Sequence, residues 1–378
     1  MTRALLPYLF VVGPVSGASA ASFTIVHFGT PPDAQVAIQH AADIWGGILV
    51  SDVPIKVSVS WTPLGGAALG VTFPNGRKDF TDAPVPATWY ATALANSIAG
   101  VELNPGEDDI NIYLNSGTNW YLGLDGNTPA GQYDLVSVAL HEFGHGIGFV
   151  GLAKKVGSEG SFGLLQQGDF GPLITTFPWP DQDTLPGIFD RFLTSTANGP
   201  LAVLDNPGPL LGTAFTSNQV YFNGAYTMAA NGGASSRIYA PATFALGSSC
   251  VHLNEATYPA GNANELMTPF SSAGDANHWP GPLCLAMLRD IGWDLSPGVG
   301  IGEGILARGM AVYPNPVSTL LTVHMEPHNR TGALTVTDLS GRVVLWAQAP
   351  GPLDVSALHA GTYLLVSQGA QPVRFVKE

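Results

Sequence analysis

His141-Glu142-Phe143-Gly144-His145 sets two imidazoles four residues apart, with a carboxylate beside the first. On a helix that spacing returns both rings to one face, so two nitrogens can reach a single metal ion. Glu142 is displaced around the helix and reaches water at the ion, not the ion itself. Such a set suits zinc-assisted hydrolysis: the metal polarises a carbonyl while the carboxylate moves a proton. Two surface histidines are the bland alternative, and the setting weighs against it. Asp134 is placed to cap a helix, Leu135, Val138, Ala139 and Phe143 give it an apolar face, and Gly146 and Gly148 follow.

A catalytic zinc ion takes three protein ligands and keeps one position open. The run continues into Gly146-Ile147-Gly148, and three residues later stands Gly151, which has no side chain to ligate. The third ligand must come from elsewhere. His252 and His278 are the nearer histidines, Asp190 and Glu255 are carboxylate rivals, and Cys250 is a softer choice. Thiolates typify closed structural sites, so pairing of Cys250 with Cys284 is preferred to metal ligation in an exported chain, with two free buried thiols an equal alternative to that pair. Between the two histidines lies Glu265-Leu266-Met267-Thr268-Pro269. Met267 there is either the floor of a metal site or an ordinary core methionine.

In order, the H-E-x-x-H-G-x-G-F run at 141–149, a long insertion, His252, the E-L-M-x-P turn at 265–269 and the segment 283–293 resemble the leishmanolysin family of metzincins. The likeness covers roughly residues 22–296, and its specific residues cluster in those four places. It implies an α+β metzincin-like catalytic domain, a twisted mixed sheet plus an active-site helix. It also implies that His141, His145 and His252 bind one catalytic Zn2+, that Glu142 is the general base, and that Met267 is the Met-turn residue. The implied activity is that of a secreted zinc endopeptidase acting on protein or peptide substrates. The usual metzincin ligand position is filled by Gly151, and the insertion at 152–250 is of unusual composition. Little chain separates the leader from the first strand, so no inhibitory pro-segment with a cysteine is expected.

A second resemblance lies at the C-terminus. Tyr313-Pro314-Asn315-Pro316, Leu339-Ser340-Gly341-Arg342-Val343, Gly361-Thr362-Tyr363 and Arg374-Phe375-Val376-Lys377 are together similar to the sorting domain of type IX secretion substrates. That implies a small all-β, Ig-like sandwich over residues 312–378 and the type IX secretion machinery as a partner. A small carbohydrate- or protein-binding sandwich is the alternative for this segment.

These groups need elements to hold them. A strand at 23–28, a helix starting near Asp33 with Val36, Ala37, Ala41, Ile44, Trp45 and Ile48 on its apolar face, and alternating strands at Ile55–Trp61 and Ile110–Leu114 precede the metal helix. Residues 119–122 are expected to form an edge for an extended substrate. Residues 152–250, rich in Gly, Asn, Ser, Thr and Pro with scattered aromatics, are expected to form short strands and long loops. A helix at 282–291 is stopped by Gly292, and residues 297–311 read as a Gly-rich linker. Short strands are expected at 320–325, 333–336, 342–345, 362–367 and 373–376.

Arg3, the apolar stretch 4–15 and Ala18-Ser19-Ala20 read as a signal peptide over residues 1–20, placing the catalytic unit at 21–296 and the protein outside the cytoplasm or at the cell surface. No other run is long and apolar enough for a membrane span. The chain carries 28 acidic against 14 basic residues, a net charge of −14, so no basic stripe exists for nucleic acid. Asp108, Asp109 and Asp125 are carboxylates that could take calcium, although solvated loop acids are commoner. The competing functional class is a non-catalytic surface adhesin or binding protein on the same scaffold. Intact Glu142 counts against it, because structural zinc needs no base beside its histidines.

Overall fold

The computed structural model describes residues 19–166, 168–170, 183–296, 310–313, 317–325, 333–338, 342–348, 351–367 and 373–378. The expected signal peptide, up to residue 18, and most of the expected linker lie outside the described residues. Ser19 and Ala20 already belong to the fold: the Ser19 hydroxyl donates to Asp52 at 2.6 Å, and Ala20 bridges Val50.

The chain opens with β1 (Phe23–Phe28), α1 (Pro32–Ile48), β2 (Ile55–Thr62), β3 (Gly70–Pro74), β4 (Gly76–Lys78), β5 (Trp89–Ala91), α2 (Thr92–Ala99) and β6 (Ile110–Asn115). The main sheet has the order β1-β2-β6-β3. β1, β2 and β6 are parallel, while β3 runs antiparallel to β6 and forms one edge. Val57, Val59, Ile110, Ile112 and Leu114 are buried from this sheet, as their alternation predicts.

The metal helix α3 (Leu135–Gly146) follows the two-residue strands β7 (Trp120–Tyr121) and β8 (Tyr133–Asp134). Asp134 caps it, accepting from the Ser137 amide and hydroxyl at 2.7 Å each. α1 and α3 pack on each other, and the Trp45 indole donates to the Leu140 carbonyl at 2.9 Å. Ala34, Ala37, Ile38, Ala41, Ala42 and Trp45 form the buried face of α1. Val36, expected on that face, is 57% exposed. The helix also begins one residue earlier than Asp33, at Pro32, whose missing N–H costs nothing in a first turn. α3 comes so close to the sheet that a Cβ on Gly146 would lie 2.4 Å from the Ile110 side chain.

Residues 152–250 hold the hairpin β9 (Ala153–Val156) and β10 (Glu159–Phe162) and the short strands β11 (Leu193–Ser195), β12 (Gly199–Pro200), β13 (Val220–Phe222) and β14 (Ser236–Ile238). Two six-residue helices, α4 (Pro209–Ala214) and α5 (Ala225–Ala230), interrupt them. Aromatics supply the core: Phe149 against Phe189 and Phe189 against Phe222, both at 4.9 Å between ring centres. Each such buried ring contributes about 1.5–3 kcal/mol. The closing helix α6 (Pro282–Ile291) ends at Gly292 (φ 121°), and the Trp293 indole donates to the Ile147 carbonyl at 2.7 Å.

The C-terminal strands are β15 (Met310–Tyr313), β16 (Leu320–Met325), β17 (Ala333–Asp338), β18 (Val343–Gln348), β19 (Gly351–Asp354), β20 (Gly361–Ser367) and β21 (Val373–Lys377). They form antiparallel sheets in the orders β15-β16-β19 and β18-β17-β20-β21, around Leu321, Val336, Leu365 and Phe375. β15 and β19 were not expected from the sequence. The architecture is thus mixed α/β, with several small sheets and a strand-built C-terminus.

Of the two readings of the cysteines, the structure shows free thiols: Cys250 and Cys284 are both unpaired and buried. Burial pushes both thiols up, so they behave as small apolar side chains. Asp109 and Asp125 have protein partners, from Lys56 and Asn96 and from Tyr121 and Asn127 respectively, and with Asp108 they form no three-residue metal cluster among the described residues.

Candidate metal centre

Among the described residues, one group of three potential ligands comes together: His141, His145 and His252. Their Nε2 atoms lie 3.0 Å (141 to 145), 3.1 Å (145 to 252) and 3.3 Å (141 to 252) apart. The first two come from one face of α3. The third is delivered by the main chain after β14, where Ile238 bridges Leu253, the Tyr239 amide donates to the His252 carbonyl, and the Leu253 amide donates to the Met267 carbonyl.

The opposite ring nitrogens fix what those atoms can do. Nδ1 of His141 meets the Leu266 carbonyl at 2.6 Å, that of His145 the Phe149 carbonyl at 2.7 Å, and that of His252 the Ser248 carbonyl at 3.0 Å. A carbonyl only accepts, so each Nδ1 carries its proton and each Nε2 presents a lone pair. Three lone pairs converging at such distances repel unless protons or a cation lie between them. Burial lowers all three imidazole pKa values, that of His252 to about 3, which argues against protons. A tetrahedral zinc ion with Zn–N near 2.0–2.1 Å sets its nitrogens about 3.3–3.4 Å apart. The observed separations are shorter than this by up to a few tenths of an ångström, so the residues fit that ion after a small outward shift of the rings.

The turn at Glu265–Met267 is a single 3-10 turn beneath this cluster. Its Leu266 carbonyl orients His141, and Met267, fully buried, lies so close under α3 that a Cβ on Gly144 would be 2.8 Å from its sulfur. Gly148 (φ 123°) turns the chain away from the helix end, a conformation side-chain-bearing residues rarely adopt. Gly151 faces Asp190, whose Oδ1 would be 2.6 Å from an added Cβ.

Glu142 is buried beside the cluster and accepts from the Thr72 hydroxyl at 2.6 Å. Burial raises its carboxyl to about 7, with the Thr72 bond opposing. A cavity of about 570 Å3 opens over the three histidines and Glu142. Val71, Phe73, Leu152, Leu165 and Phe270 supply apolar wall, and among the described residues its charged lining is acidic: Glu142, Glu255, Glu265 and Asp275, with no lysine or arginine.

Several expected residues take other places. His278 binds the helix cap, Nε2 to Asp134 Oδ1 at 2.8 Å, and is not in the cluster. Asp190 accepts the amides of Leu152 and Gly187, and Glu255 stands in the cavity wall. Tyr258 lies six residues after His252, a closeness in sequence that suggests an oxyanion partner, but it is buried and does not line the cavity. Residues 119–122 are not the edge beside the cluster. Only Trp120 and Tyr121 form a strand there, paired with β8, and the cavity is bordered instead by residues 67–74, including β3. Sequence reasoning missed Gly70, Thr72 and Tyr133, which carry no local signature.

Residues 311–376 match the secretion system C-terminal sorting domain. This segment is a type IX sorting domain, and it addresses the protein for secretion or display at the cell surface. No curated protein matches the chain. Among the described residues no helix is long and apolar enough to cross a membrane.

Proposed function

We propose that the protein is a secreted zinc-dependent endopeptidase of the leishmanolysin-like metzincin kind, with His141, His145 and His252 as ligands and Glu142 as general base. The observation that carries this reading is the convergence of three Nε2 atoms beside a buried carboxylate at the floor of an open cavity. The order of helix, long insertion, third histidine, methionine turn and closing helix supports the family.

When bound, zinc supplies a Lewis acid that polarises the scissile carbonyl and makes water more acidic. The chain's own groups do the rest. The three Nδ1–H···O=C bonds hold the imidazoles neutral and oriented. Glu142 takes the proton of the attacking water and returns it to the leaving amine. β3, at the edge of its sheet and along the cavity, receives an extended peptide by adding it as a further strand. The apolar wall offers surface against which substrate side chains can pack.

Glu142→Gln tests the reading. The variant should keep one zinc per chain while cleavage of casein or gelatin falls by about two to four orders of magnitude. Undiminished cleavage would remove Glu142 as the base. A mature wild-type protein that binds zinc yet cleaves neither substrate, with or without chelator, would favour the adhesin class instead.

A further inference from the structure

β3 contributes more than an edge to the cavity. Gly70 and Thr72 are two residues apart on a strand, so they share one face, and that face is turned to Glu142. The Thr72 hydroxyl donates to Glu142 Oε2 at 2.6 Å. A Cβ on Gly70 would lie 2.6 Å from Oε1 and 2.9 Å from both Cδ and Cγ. Gly70 has no positive φ, so its backbone would accept any residue. The requirement for glycine there is the space taken by the carboxylate. Glu142 Oε1 has no hydrogen-bond partner among the described residues and is not sealed from solvent, while Oε2 is occupied.

We infer that Gly70 and Thr72 form a seat for the Glu142 carboxylate, with Thr72 as a positioning residue that leaves Oε1 as the oxygen presented to water. The inference rests on the endopeptidase reading and adds a residue to it. A free glutamate side chain samples several χ2 and χ3 settings, and only some face the histidines. The hydroxyl bond selects one of them before substrate arrives, which is the preorganisation that proton transfer requires. The seat also lies on the strand proposed to receive the peptide, so one element sets the register of the substrate and the aim of the base.

Thr72→Val keeps the side-chain shape and removes the donor; Thr72→Ser keeps the donor. Three measurements on the mature, zinc-loaded proteins decide the matter: kcat and KM on a fluorogenic peptide, zinc per chain, and a crystal structure of each variant. The expected result for Thr72→Val is a fall in kcat of about 10- to 100-fold, with KM within about two-fold and zinc unchanged. Its Glu142 side chain should occupy more than one position, whereas Thr72→Ser should hold one position and recover most of kcat. The inference is overturned if Glu142 stays in a single place in Thr72→Val, if Thr72→Ser loses as much kcat as Thr72→Val, or if the loss lies wholly in KM. Should the wild type fail to cleave, or Glu142→Gln cleave normally, the endopeptidase reading falls, and the crystal structures still decide whether the seat exists.

Discussion

Replacing Asp190 by asparagine should leave stability unchanged at pH 4 and raise it at pH 8. The Asp190 carboxyl is fully buried, its Oδ2 accepts the amides of Leu152 and Gly187 at 2.9 Å each, and its Oδ1 has no partner among the described residues. Burial pushes it up to about 7, against the pull of the two amides. An aspartate in the unfolded chain titrates near 3.9. The native protein therefore holds a proton that the unfolded chain has released across that interval. The stability this group contributes is complete below about pH 4 and is lost as pH rises through about 7. About three pH units at 1.36 kcal/mol each put the loss on the order of 4 kcal/mol. Asparagine imitates the neutral acid: its oxygen can accept both amides, and its NH2 replaces the hydroxyl. Urea unfolding of both proteins at each pH from 4 to 8 reads the difference, and titration of the histidines, common to both, cancels. A difference that stays flat over this range, or that turns against the variant as pH rises, would refute the reasoning.

Other perturbations follow from the same geometry. His252→Ala should lower bound zinc below one per chain by metal analysis; a stoichiometric ion would move the third ligand elsewhere. Chelation should lower the melting temperature, since a ligand at 100 times its Kd stabilises by about 2.7 kcal/mol; an identical melt with and without chelator would contradict a site formed only in the folded state. Gly148→Ala forces a side chain into φ 123°, 3.0 Å from Ile291 Cδ1. It should cost about 2 kcal/mol and lower the melting temperature by about 4–8 °C.

What could be read from the sequence follows the range of the interactions concerned. His141, Glu142 and His145 obey a rule local to one helical turn, and Asp134 one local to its cap. The long strands of the main sheet alternate over six to eight residues, enough for the period to show. β3 runs five residues from glycine to proline, and β11 to β14 run only two or three. No period can be read over such lengths, and their packing depends on rings distant in the chain, such as Phe149 on Phe189. Gly70 and Thr72 stand about seventy residues before the carboxylate they touch, and nothing near them in sequence marks the contact. Cys250 and Cys284 fit the composition of an exported chain with a disulfide as well as one with free thiols, and both are free thiols buried in the one main core.

His252 is the instructive case, because no spacing rule reaches it and its selection rested on resemblance. The structure supplies a physical reason for its place. All three imidazoles are oriented by main-chain carbonyls, from Leu266, Phe149 and Ser248, and none by a carboxylate side chain. Any residue type can offer a carbonyl, so the orienting shell leaves no trace in composition or motif. It also cannot be removed by a side-chain substitution at those positions without moving the backbone. The tautomer of each ring is thus set by the path of the chain: the turn at 265–267, the helix exit at 147–149 and the bend at 245–250 that leads into His252. Metal affinity should accordingly be more sensitive to glycine and turn positions along those three paths than to the side chains of Leu266, Phe149 or Ser248 themselves.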